Sequence, residues 1–317
     1  MRPRLDGPAF SSRSTCLWRI LWLLLLAPIA CGEARSCGSG KPAADAGDQT
    51  RASAPPPAAG FVHRSFPDAA TAVAHVLERT RPRVVGFGEY HQVDGTASVL
   101  STLERFRREI LPVIAPNGSD LVVETWISAG GCGTAEQQVV SQVDQVTERP
   151  DVTANETVAL IEDAQARGLK PHILELDCAA YERLLDRDGG LDYFAMLELV
   201  GQSLERKGAT VLKARGDDPR LVALITGAAH NDAAPSEIWA PISYGPGLAA
   251  ATGGRYVEVD LLVPEFVEAS KLALDEPWFP LLKRLAAPDS VWLIELGPTS
   301  FIIVLERGVM VAPLPIR

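Results

Sequence analysis

Short apolar runs of strand length alternate with amphipathic helical stretches through much of residues 61–317, and this rhythm restricts the fold more than any other feature. Strands are predicted at residues 83–88, 120–123, 172–176, 221–226 and 256–263. Helices are predicted at residues 67–79, 98–113, 156–167 and 191–206. Strands that alternate with helices are typical of a parallel sheet. We therefore expect an α/β fold with a mostly parallel sheet flanked by helices.

The end of the chain has a different pattern. Three short apolar runs, at residues 291–296, 301–305 and 309–312, are separated by Gly-Pro and Arg-Gly turns. Turns this short join antiparallel neighbours. We therefore expect antiparallel strands at one edge of the sheet, near the carboxyl terminus.

Residues 1–30 have the composition of a secretory signal peptide. Several arginines precede the apolar run 20–26, and small residues precede Cys31. The run is shorter than the roughly 20 residues that cross a bilayer. The tract up to Cys31 resembles a bacterial lipobox, which implies that Cys31 is acylated and anchors the protein to a membrane of the cell envelope, on its periplasmic or surface side. A plain secreted protein is the alternative.

Residues 31–60 read as a disordered tether. They are rich in Ala, Gly, Ser, Pro and Asp, end in a run of three prolines at 55–57, and offer almost nothing to build a core. Residues 61–317 contain no comparable linker and no internal repeat. We therefore expect them to form a single domain, which a lipid on Cys31 would hold clear of the membrane.

The net charge bears on the class of partner, and the spacing of the cysteines bears on disulfides and metal sites. The formal net charge is -10, and no patch of clustered Lys and Arg is evident, which argues against nucleic acid as a partner. Cys132 and Cys178 could pair in an oxidising compartment. No Cys or His spacing in the sequence is typical of a zinc site.

Carboxylates and imidazoles cluster where the predicted strands end. Ligands of parallel α/β sheets bind outside the carboxyl ends of the strands. The first strand runs into Glu89 and His91, which face the same side if the chain stays extended. The second runs into Glu124, which is costly to bury unless it is paired or functional. A later strand is followed by His230.

The strand at 172–176 carries Glu175 and Asp177 at its end, and either could instead cap the next helix. Two chemistries fit the other four side chains. Glu89, His91 and His230 could hold a divalent metal ion whose bound water attacks a small-molecule substrate. Without a metal, Glu89 would be the general base, His91 and His230 proton shuttles, and Glu124 an orienting carboxylate. The residues alone leave both open.

These segments resemble the superfamily that joins ChaN-like haem-binding lipoproteins, erythromycin esterase-like hydrolases and Tiki/TraB-type proteins. Its hallmarks are a Gly-Glu-x-His after the first strand, a Glu after the second and a late Gly-x-x-His. In this chain, over about residues 61–263, they read Gly88-Glu89-Tyr90-His91, Glu124 and Gly227-Ala228-Ala229-His230.

The branches of this superfamily imply different functions. The ChaN branch implies haem binding without catalysis, in a protein that can be a homodimer, with Tyr90 and His91 as the residues facing the cofactor. The esterase-like and Tiki-like branches imply hydrolysis at Glu89, His91, Glu124 and His230, with a metal in the Tiki case. A scaffold role without chemistry is the third alternative.

Overall fold

The computed structural model describes residues 60–310, except 93–95, 97, 129–130, 148–149, 151, 271 and 286–289. The predicted signal peptide, Cys31 and all but the last residue of the predicted tether lie outside the described residues. Within the described ranges, no helix is both long enough and apolar enough to cross a membrane.

The described strands form one eight-stranded sheet in the order β1-β7-β8-β6-β2-β5-β3-β4. The strands are β1 Val62–Phe66, β2 Val84–Glu89, β3 Gly118–Ser128, β4 Lys170–Leu176, β5 Leu221–Gly227, β6 Tyr256–Leu262, β7 Val291–Glu295 and β8 Ser300–Val304. Neighbours from β8 through to β4 pair in parallel. β7 is antiparallel to β1 and β8. The predicted α/β fold, with its antiparallel strands near the carboxyl terminus, is confirmed.

Helices cover both faces of the sheet. They are α1 Ala69–Thr80, α2 Thr102–Arg105, α3 Leu111–Ile114, α4 Gly133–Thr147, α5 Val152–Ala166, α6 Cys178–Arg183, α7 Tyr193–Arg215, α8 Gly245–Ala251, α9 Pro264–Ala269 and α10 Phe279–Leu285. A π-helical turn, Phe106–Ile110, joins α2 to α3.

Six of the described elements are absent from the sequence-based prediction: strand β1 and helices α4, α6, α8, α9 and α10. Strand β1 is mostly exposed, so it lacks the apolar alternation of a half-buried strand. Helix α4 buries only Val139, Val143 and Thr147 among its described side chains, and its remaining sequence is largely polar. Of the predicted strand at 309–312, Met310 forms an isolated bridge with Val99, and residues beyond 310 are not described.

Alternate residues of the central strands pack into separate apolar layers, one on each face of the sheet. In β2, Val85 and Phe87 pack on one face with Phe106 and its neighbours. Val84 packs on the other face with the buried side chains of α7 and α8. A third apolar cluster, around Trp278, covers Ile302 of β8 on that second face. The central strands are therefore buried on both sides, as in other parallel sheets.

The sheet order locates a crevice between β2 and β6. The chain leaves β2 towards β3, on one side, and leaves β6 towards β7, on the other. Where the outgoing connections of two neighbouring parallel strands diverge, a ligand crevice opens outside their carboxyl ends. Glu89 ends β2 at this point, and Asp260 lies near the end of β6.

Candidate functional site

Glu89 and His91 form a buried carboxylate–imidazole pair at the end of β2. The His91 Nδ1 atom lies 2.9 Å from Glu89 Oε1, and the two side chains are 4% and 3% exposed. A hydrogen bond from Nδ1 to a carboxylate holds the ring in one orientation and favours the tautomer with its lone pair on Nε2. That tautomer is the form of a general base.

Glu124 lies inside β3 rather than at its end, because this strand continues to Ser128. The register of β3 against β4 shifts here: Val122 pairs with His172, whereas Trp126 pairs with Leu174. Residues 123–125 therefore bulge opposite a single residue of β4. A bulge re-aims the side chains it contains, and Glu124 is completely buried.

The imidazole of His230 lies next to the carboxyl group of Glu124. Its Nδ1 lies 2.8 Å from the backbone oxygen of Ile242. A carbonyl only accepts hydrogen bonds, so Nδ1 carries the proton and the lone pair of His230 is on Nε2. That atom lies 3.9 Å from Glu124 Oε1. Among the described residues neither atom has a hydrogen-bond partner, and both are buried.

The turn that follows β5 joins the two pairs. The Gly227 N–H donates to Glu124 Oε2 over 2.7 Å. The next amide, of Ala228, donates to the backbone oxygen of Glu89 over 3.0 Å. His230 ends this turn, and its own N–H donates to the Gly227 oxygen. Residues 227–230 therefore place both carboxylate–imidazole pairs at one end of the sheet.

Burial determines the charge of the inner pair. Desolvation raises the pKa of Glu124 well above its usual value, the negative charge of Glu89 raises it further, and the Gly227 N–H opposes both effects. Desolvation also lowers the pKa of His230 to about 4, against the opposing hydrogen bond to Ile242. Both shifts favour the uncharged forms, a protonated Glu124 carboxyl beside a neutral His230 imidazole.

A polar network that the sequence analysis missed continues from this pair towards β6. The Thr226 hydroxyl lies 3.1 Å from that of Tyr244. Asn231 Nδ2 donates to Asp260 Oδ1 over 3.0 Å, and the Asn231 backbone oxygen accepts from the Tyr256 hydroxyl. Asp260 could have been identified from the sequence, because it interrupts an apolar strand. The role of Asn231 could not, since its partners lie 25 or more residues away.

Glu258 and Asp260 lie on the same face of β6, which sets two carboxylates in a buried environment. Desolvation raises the pKa of Glu258 to about 7, the nearby Asp232 adds to this, and the Ala233 N–H opposes it. Desolvation and the charge of Glu258 raise the pKa of Asp260 well above its usual value. The carboxyl groups of Glu258 and Asp260, on the β6 side of the crevice, therefore stay protonated to higher pH than exposed carboxyl groups do.

Gly88 is required by the close approach of this network. A Cβ atom at this position would lie 2.3 Å from Asp260 Oδ1 and 2.7 Å from Asn231 Nδ2. It would also lie 2.8 Å from the Cα atom of Ala228, which cannot move without shifting the turn. The glycine before Glu89 therefore lets the turn 227–230 and β6 pack directly against β2.

The sequence left a divalent metal ion and haem open as cofactors. In the part of the chain that is described, no three His, Cys, Asp or Glu side chains are grouped so that they could hold a metal ion, which includes Glu89, His91 and His230. Tyr90 packs edge-on against Trp278, within the third apolar cluster. Burial, and then the charges of Asp260 and Glu276, raise the pKa of Tyr90, so without a ligand its phenol is uncharged.

The other predicted residues have structural contacts. Asp177 caps α6, since its Oδ1 accepts from the Ala180 N–H over 2.7 Å. Glu175 is exposed and lies 3.7 Å from Lys207. Cys132 and Cys178 form a disulfide whose Cα atoms are 5.0 Å apart. This bridge links the segments that follow β3 and β4, at the same end of the sheet as Glu124.

An oriented imidazole, a buried carboxyl group with a raised pKa and a second imidazole with a lowered pKa thus lie around one turn. A scan against protein-family models, a search of curated proteins and a search of solved structures found no match to this chain.

Proposed function

We propose that this chain is a hydrolase that cleaves a small-molecule substrate by general acid–base catalysis with its own side chains. The observation that carries the proposal is the pairing of each imidazole with a carboxyl group, Glu89 with His91 and Glu124 with His230, around the turn 227–230. Burial and the charge of Glu89 raise the pKa of Glu124, and a raised carboxyl pKa is typical of a general acid in catalysis.

In this proposal His91 is the general base and Glu89 the residue that positions it. Nε2 of His91 removes a proton from water, whose oxygen attacks the electrophilic centre of the substrate. The proton of Glu124 passes to the leaving group as the old bond breaks, and His230 Nε2 lies 3.9 Å from Glu124 Oε1. These roles differ from the expectation that Glu89 is the base and Glu124 an orienting carboxylate. All four side chains are buried, so substrate binding must expose both His91 and Glu124.

The test is hydrolysis of a panel of chromogenic esters, amides and phosphate esters by the purified full-length chain, with and without EDTA. We expect a turnover that EDTA leaves unchanged and that His91→Gln lowers by about 10²–10⁴-fold, the usual contribution of a general base. His63→Gln is the matched control, because His63 lies on the exposed strand β1. Turnover that His91→Gln leaves intact, or that EDTA removes, would contradict the proposal.

We do not extend the proposal to haem. The contact of Tyr90 with Trp278, within the third apolar cluster, argues against a ligating phenolate. Titration of the chain with haemin is therefore expected to give no saturable shift of the Soret band. A stoichiometric band that disappears in Tyr90→Phe would instead support the ChaN-type binding function.

The chain is further proposed to work in the cell envelope, anchored through Cys31. The support from the structure is the Cys132–Cys178 disulfide, because such bridges persist in oxidising compartments. Incorporation of labelled palmitate that is lost in Cys31→Ser would support the anchor. Membership of the ChaN/esterase-like superfamily, and the homodimer that this resemblance implies, stay predictions.

A further inference from the structure

A second site lies at the opposite end of the sheet from Glu89 and His91. A cavity of about 360 Å³ is bounded there by Arg83, Lys213 and Arg255, with Leu212 and Ala251 among its apolar lining. Arg83 directly precedes β2, Arg255 directly precedes β6, and Lys213 lies in the last turn of α7. No acidic side chain lines the cavity. The volume falls within the range of small-molecule pockets.

The backbone holds the two arginines side by side. The Arg83 N–H donates to the Arg255 backbone oxygen over 2.8 Å. Their side chains then reach different carbonyls, Arg83 that of Gly216 at 2.9 Å and Arg255 that of Arg81 at 3.3 Å. In the described ranges neither guanidinium has an ion-pair partner, nor has the ammonium of Lys213.

Three cations without a counter-charge repel one another, which is notable in a chain of formal net charge -10. The carbonyl end of α7 accounts for Lys213, because cations near a helix carboxyl terminus are stabilised by the helix dipole. It does not account for Arg83, whose Nε is buried without a hydrogen-bond partner among the described residues. The donors of this arginine therefore exceed the acceptors that the protein supplies.

We propose that this cavity binds a small phosphorylated molecule. Two planar guanidinium groups and one ammonium match the two negative charges and several oxygens of a phosphate monoester, whereas a single carboxylate would neutralise only one of the three cations. The cavity exceeds the needs of a phosphate alone, so the organic part of the ligand packs against Leu212 and Ala251. A soluble phosphate monoester and the headgroup of phosphatidic acid share this chemistry.

The test is calorimetric titration of the full-length chain with inorganic phosphate and with glycerol 3-phosphate, at constant ionic strength. Lys213→Gln removes one charge at an exposed position, so the variant should fold normally. We expect it to weaken binding of glycerol 3-phosphate about tenfold, the effect of losing one charge-assisted contact. Lys207→Gln makes the same change on the same helix, outside the cavity, and should bind as the parent chain does.

Absence of saturable binding for both probes would overturn the proposal, and so would equal weakening by Lys207→Gln. Vesicles containing phosphatidic acid, whose headgroup is a phosphate monoester, distinguish the source of the phosphate. Sedimentation that Lys213→Gln reduces, and that glycerol 3-phosphate competes away, would identify a lipid headgroup. Binding of glycerol 3-phosphate with no Lys213-dependent sedimentation would identify a soluble ester.

Discussion

Replacing Glu124 by glutamine should stabilise the protein by an amount that grows with pH. The carboxyl group is completely buried, and its raised pKa means that the folded state keeps a proton that the unfolded state loses above pH 4.5. Each pH unit over which this holds costs the folded state about 1.4 kcal/mol. Glutamine carries no titrating proton, and its carbonyl can still accept the Gly227 N–H.

The free energies of unfolding of the parent chain and Glu124→Gln should therefore be similar near pH 4.5 and diverge above it. Urea titrations followed by tryptophan fluorescence at half-unit pH steps would measure the difference, and the pH at which it stops growing is the pKa of the buried carboxyl. Glu182→Gln, on an exposed position, controls for the chemical change. A difference that stays flat with pH would refute the protonated state of Glu124.

Three further predictions follow from the site and its surroundings. The pKa of His230 is lowered from 6.5 to about 4, so the unfolded chain takes up a proton in this pH range that the folded chain does not. The free energy of unfolding of the parent chain, relative to that of His230→Asn, should therefore fall by up to about 3 kcal/mol as the pH drops from 6.5 to 4. The same urea titrations would measure this fall. Replacing Cys132 and Cys178 together by alanine should cost about 4 kcal/mol, because the bridge closes a loop of 46 residues; an unchanged urea midpoint would contradict this. Gly88→Ala should lower the urea midpoint, since overpacking costs roughly 1–3 kcal/mol and the added Cβ meets Asp260.

Local patterns were sufficient to predict the strands that carry the site. The runs that became β2, β5 and β6 are apolar throughout or nearly so, as expected for strands buried on both faces. The proximity of Glu89 and His91 follows from the two-residue period of an extended chain. Strand β1 was missed because an exposed edge strand has no apolar face to reveal it.

The distribution of roles within the site depends on contacts between distant segments. The tautomer of His230 is determined by a carbonyl twelve residues away, and the protonation of Glu124 by burial beneath a turn about 100 residues further along the chain. The bulge in β3 that re-aims Glu124 depends on the register with β4. No local pattern in the sequence encodes these relations, so the roles of Glu89 and Glu124 could be assigned only from the fold.

The most direct test of the proton-transfer site is the protonation state of its imidazoles, read by long-range ¹H–¹⁵N correlation spectra of the ¹⁵N-histidine-labelled chain at pH 7. His230, assigned by its loss in His230→Asn, should be neutral with its proton on Nδ1. A doubly protonated His230 would mean that Glu124 is ionised and that the two form an ion pair. That result would remove the proton donor on which the proposed mechanism depends.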